Sequence, residues 1–133
     1  MATPVIGGSM RAIAAVVVLS CLSLVAMAQK KIDIIEQPAG RLAYRDAAGQ
    51  DASTVRAAYG DEIRWKSGVG RYVITFPKGT PLNSNKFEGK KDQEAAGTVQ
   101  PKVAKRSYKY NVVVTRDDGT VLKDDPEIII DDQ

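Results

Sequence analysis

The sequence predicts an all-β fold, a Greek-key β-sandwich of seven to eight strands preceded by an N-terminal signal helix. Three observations carry this reading. After residue 28, apolar and polar residues alternate, and no stretch of a dozen residues holds apolar positions at helical spacing. The alternating runs are short and separated by Gly, Pro, Asn and Asp clusters, the spacing of a sandwich or barrel. The longest run, 107–115, leads into Asp117-Asp118-Gly119, a strong hairpin signal.

Taken in order, Ile32 and Ile34 alternate with Lys31 and Asp33 as a first strand. Leu42 and Tyr44 alternate with Arg41, Ala43 and Arg45, and Asp46-Ala47-Ala48-Gly49 reads as a turn. Val55 and Ala57 sit in a short strand closing at Gly60-Asp61. Ile63 and Trp65, then Tyr72, Ile74 and Phe76, form the next two alternating sets. The stretch 77–98 is rich in Pro, Gly and Asn and reads as a long connection, with one helical turn around Asp92 to Ala96 and with Phe87 pinning it to the body. Val99 and Val103 flank Pro101, which suits an edge strand. Tyr108, Tyr110, Val112 and Val114 share one face of the following strand. Val121-Leu122 starts a return strand, Asp124-Asp125-Pro126 turns, and Ile128-Ile129-Ile130 closes the domain. Ile63, Trp65, Ile74, Phe76, Tyr108, Tyr110, Val112, Val114, Ile128 and Ile130 are the expected core, each worth about 1.5–3 kcal/mol on burial.

Ahead of this domain, residues 1–28 read as a signal peptide and 29–133 as the mature sandwich. Arg11 supplies the positive region, Ala12 to Val25 the apolar run, and Ala26-Met27-Ala28 the small-residue cleavage site. The run is short against the roughly 20 residues of a membrane span. Whether the leader is cleaved or kept as an anchor, and whether Met1 or Met10 is the start, stay open at this level. Cys21 lies within the apolar run, and Val18-Leu19-Ser20-Cys21 is a poor lipoprotein site. The expected location is the bacterial cell envelope, periplasmic or secreted.

Composition narrows the function. The net charge is +3, and +2 once Arg11 is removed, with both signs interspersed. That is a solvated mixed surface and not a nucleic-acid footprint. The chain has no His, and its single Cys and all Met lie before residue 29. A nucleophile with an adjacent base has nowhere to form, so no enzyme and no cofactor are expected. The acidic residues Asp117, Asp118, Asp124, Asp125, Asp131 and Asp132 do not keep the spacing of a calcium loop. Oxygen-ligand metal binding by carboxylates with Tyr72, Tyr108 or Tyr110 is the alternative function.

Gly60-Asp61-Glu62-Ile63-Arg64-Trp65, then Tyr72-Val73-Ile74-Thr75-Phe76, then Tyr108-Lys109-Tyr110 together resemble the cupredoxin family, the plastocyanin and azurin type of sandwich. The resemblance spans about residues 52–115. It implies a copper-binding frame with the first His ligand at Tyr72, the Cys at Val112 and the second His at Thr115, and no Met is available for the fourth ligand. Tyr, Val and Thr cannot provide the thiolate and imidazole ligands of blue copper. The expectation is therefore a metal-free binding or interaction module, not an electron-transfer protein. Its expected recognition surface is the turn before Arg71 and the 77–98 segment, with Arg71, Lys78, Lys86, Phe87, Lys90 and Lys91 as candidate residues. An envelope protein or an anionic polymer is the expected kind of partner.

Overall fold

The computed structural model describes residues 28–132, and the expected signal peptide lies almost wholly outside them. Eleven strands follow one another, with no helix among the described residues. They are β1 (Gln29–Gln37), β2 (Arg41–Arg45), β3 (Thr54–Ala57), β4 (Glu62–Ser67), β5 (Gly70–Thr75), β6 (Lys86–Gly89), β7 (Ala95–Thr98), β8 (Ser107–Lys109), β9 (Asn111–Arg116), β10 (Val121–Asp124) and β11 (Glu127–Ile130).

One sheet has the order β2-β1-β4-β7, in which β1 and β4 run parallel. The opposing layer comprises β10-β9-β5-β6 and β3-β11-β8. These two groups share a continuous hairpin. Asp124 faces Val112 and Glu127 faces Lys109, a single register carried through both strand pairs. At the joint the Tyr110 amide donates to the Pro126 carbonyl at 3.0 Å. Pro126 has no N–H to return the bond, so the ladder is interrupted there and one long ribbon counts as four strands.

The count exceeds the seven to eight strands expected from sequence for a second reason. The 77–98 segment is not a plain connection and has no helical turn: it contains β6 and β7. Phe87 is the one large apolar residue in these strands, and Ala95, Ala96 and Gly97 have low strand propensity, so alternation was not visible. The expected edge strand around Pro101 does not form. Val99 is buried and makes an isolated bridge to Leu82, while Lys102 takes a positive φ of 72° in a turn.

The core is one cluster in which all ten expected residues are buried, joined by Ile32, Ile34, Tyr44, Tyr72, Phe87 and Val99 among others. Trp65 is its centre. Its ring lies 5.2 Å from Phe87 and 5.7 Å from Tyr110, edge-on to the latter, and its indole N–H donates to the Tyr110 hydroxyl at 3.3 Å. Gly97 makes room for this arrangement. A Cβ at that position would lie 2.6 Å from the Phe87 ring.

The turn signals are met by side-chain oxygens. Asp46 Oδ1 accepts from the Ala48 and Gln50 amides, both at 2.9 Å, and Asp118 Oδ1 accepts from Thr120 N at 2.9 Å. Asp61 is buried, and its carboxylate accepts from Ala58 N at 2.9 Å and Ala28 N at 3.3 Å. The Gly-Asp turn is thus a backbone clamp holding β1 beside β4.

Candidate functional site

Three turns meet at one end of the sandwich. The first is Ser67 to Gly70, between β4 and β5. Ser67 is fully buried, and its hydroxyl oxygen accepts from Val69 N at 3.2 Å and Gly70 N at 3.3 Å. The second joins β6 to β7. Its Asp92 amide donates to the Ser67 carbonyl at 2.7 Å, so the two turns are bolted together. The Gln93 side chain accepts from Lys90 N at 2.9 Å, and Gln93 N donates back to the Lys90 carbonyl at 3.0 Å. The third is the Asp117–Gly119 turn of the β9–β10 hairpin, with Gly119 at a φ of 89°.

This construction carries Lys90 and Lys91 across to Arg71, about twenty residues away in the chain. Arg71 and Lys90 line both of two adjoining depressions on the outer face of β5, β6 and β9, of about 470 and about 440 Å³. Lys91 lines the second and lies 3.6 Å from Asp117. Arg116 also lines the second, but Glu36 of β1 holds its guanidinium through both carboxylate oxygens. Arg71 and Lys90 form no ion pair among the described residues, so positive charge faces solvent there.

The first depression has a rigid base. Tyr72 is buried beneath Gly89, where any Cβ would strike its ring at 2.7–2.8 Å. Its hydroxyl is within bonding distance of the Gln93 carbonyl at 2.7 Å and the Trp65 carbonyl at 3.0 Å. Burial pushes this phenol up to about 12, with Glu94 adding to the rise and a backbone hydrogen bond opposing it. Val73 and Val113 lie directly opposite one another on β5 and β9, half-buried on the outer face.

Not every candidate residue belongs to this end. Arg71, Lys90 and Lys91 come together. Lys78 follows Phe76 at the other end of β5, and Lys86 faces Thr75 there and pairs with Glu88 at 3.6 Å. Phe87 is not part of any surface: it is buried against Trp65, as the pin that ties β6 to the core. Val73, Val113, Glu88 and Gln93 line the same depressions and are not singled out by the sequence, and Thr115, which lines them too, is marked there only as an implied ligand position. The outward positions of the two strands could have pointed to Val73, Val113 and Thr115, because they alternate with the buried set around Arg71.

The positions implied for copper ligands do not converge. Tyr72 and Val112 face the core, whereas Thr115 lies on the outer face opposite Arg71. A Cys at 112 and a His at 115 would sit on opposite sides of β9. Among the described residues no three His, Cys, Asp or Glu side chains gather as a metal-binding group. The acidic turn residues stand apart in separate ion pairs: Lys91 with Asp117, Lys109 with Asp125 at 3.9 Å, and Lys105 with Asp132.

A further depression, of about 610 Å³, lies between the start of β1 and β3. Its Lys30, Lys31 and Arg56 are offset by Asp46, Asp51, Asp131 and Asp132, and Arg56 is paired with Asp131. The lining thus mixes three cations with four carboxylates and presents no concentrated charge of one sign.

No family model matches the chain, and no curated protein matches it. Among solved structures it is similar to the reduced Cu(I) form of an amicyanin mutant, at 13% identity and a TM-score of 0.40, over 76% of this chain and 82% of that one.

Proposed function

We propose that the chain is an exported, metal-free binding module with a cupredoxin-like sandwich, and that it engages an anionic partner in the bacterial envelope through the Arg71–Lys90–Lys91 end. The observation carrying this reading is the bolted junction of the Ser67 and Asp92 turns, which places two unpaired cations on adjoining depressions. The cupredoxin-like part rests on the sequence motifs: Trp65, Phe76, Tyr108 and Tyr110 pack as core aromatics, consistent with the resemblance. The metal-free part rests on the lack of His in the chain and of Cys and Met after residue 28.

The test is binding of polyglutamate to protein purified from the envelope fraction. Replacing Arg71, Lys90 and Lys91 by Gln removes three exposed contacts of about 0.3–1 kcal/mol each, so affinity should fall by about tenfold. Lys78→Gln with Lys102→Gln, two exposed lysines that line neither depression, serves as the control and should change affinity by less than about twofold. Equal losses in both variants would make the attraction a property of net charge and not of this site. Mass spectrometry of the same preparation should find Gln29 as the N-terminal residue.

A further inference from the structure

The cationic end is continuous with an apolar floor, and this combination selects a ligand. Arg71, Lys90 and Thr115 are shared by the two depressions, and beyond them the apolar side chains facing the first are Val73 and Val113. A uniform polyanion gains from a line of cations. Here the next charged side chain along the trough is Glu88, which faces Val73 across the β5–β6 ladder and is neutralised only by an exposed Lys86 at 3.6 Å. A second negative group carried to Glu88 meets repulsion. Resting on the anion-binding reading above, we propose that the trough binds a single anionic group carried on an apolar body, the head between Arg71 and Lys90 and the body over Val73 and Val113.

The physical case has three parts. The guanidinium of Arg71 offers paired donors suited to a carboxylate or phosphate, and Lys90 adds a second charge. The half-buried valines leave apolar surface that an aliphatic or aromatic body would cover, at about 25 cal/mol for each Å² removed from water. The floor is preorganised, because Tyr72 is wedged under Gly89 and tied through its hydroxyl, so little is lost in ordering it on binding. A depression of about 470 Å³ is in the range of small-molecule sites.

Titration calorimetry on the purified protein tests this with three probes: 2-naphthoate, 2,6-naphthalenedicarboxylate and acetate. The expected result is binding of 2-naphthoate well above acetate, and weaker binding of the dicarboxylate despite its greater charge. Arg71→Gln should weaken 2-naphthoate about tenfold. Val73→Thr keeps the shape and strand preference of an outward side chain and should weaken it severalfold, while leaving polyglutamate binding unchanged. Glu88→Gln should raise the affinity for the dicarboxylate to that of the monocarboxylate. If 2-naphthoate binds no better than acetate while polyglutamate still binds through Lys90 and Lys91, this inference is overturned and the anion-binding reading stands. Failure of both probes overturns both. Binding of the dicarboxylate above the monocarboxylate in the unaltered protein also overturns the inference.

Discussion

Gly97→Ala tests whether the Trp65–Phe87 contact organises the core. The added Cβ would lie 2.6 Å from Phe87 Cζ and 2.8 Å from Cε1, well inside contact distance. Phe87 cannot swing aside freely, because its ring is held 5.2 Å from Trp65, which is fully buried. Overpacking of this kind costs about 1–3 kcal/mol. Removing a glycine from a strand returns about 0.4–1 kcal/mol by restricting the unfolded chain. The net expectation is a loss of about 1–2 kcal/mol, which lowers the melting temperature by roughly 4–8 °C per kcal/mol in a domain of this size. Phe87→Leu alone should destabilise by about 1 kcal/mol through lost packing. Combined with Gly97→Ala it vacates the space the new methyl needs, so the double variant should be more stable than the sum of the two losses. Urea unfolding of all four proteins gives the coupling energy. Additivity within about 0.5 kcal/mol would refute the reasoning, because a shared contact must appear as coupling.

Tyr44 supplies a second test. Its side chain is buried and its hydroxyl has no hydrogen-bond partner of good geometry among the described residues. Tyr44→Phe should therefore change stability by less than about 0.5 kcal/mol, where a well-bonded buried hydroxyl would cost about 1 kcal/mol, and a larger loss in urea unfolding would mean that Asp124, whose charge acts on this phenol, is a true partner. Alkaline pH supplies a third. Burial raises the pKa of Tyr44, Tyr72 and Tyr110, with Tyr72 at about 12. An unfolded chain gives up these protons first, near pH 10, so the stability they confer is whole below that pH and is lost as pH rises through 12. Each contributes a slope of at most about 1.4 kcal/mol per pH unit. The absorbance change of these three tyrosines should thus come together with unfolding, and their ionisation at pH 10.5 to about three-quarters, the extent an unperturbed phenol reaches there, in a still folded protein would contradict the burial argument.

Period-two alternation and the turn residues determined the sandwich class, the core stripe and the Asp-Asp-Gly hairpin, because each depends on neighbours within a few positions. Ile74, Val112 and Val114 were legible as core on alternation alone. The sequence also determined that no His is present, so that no imidazole is available as a base or a ligand. Only tertiary structure decided the rest. β6 and β7 are strands because they pair with β5 and β4, against weak local preference. Thr115 faces away from Val112 because strand geometry puts odd and even positions on opposite sides, which a family alignment by spacing did not respect. The cationic trough exists because one amide of Asp92 reaches the Ser67 carbonyl and brings Lys90 to Arg71. A bond between residues 25 positions apart leaves no mark in any local pattern, and it is such bonds that gather a site.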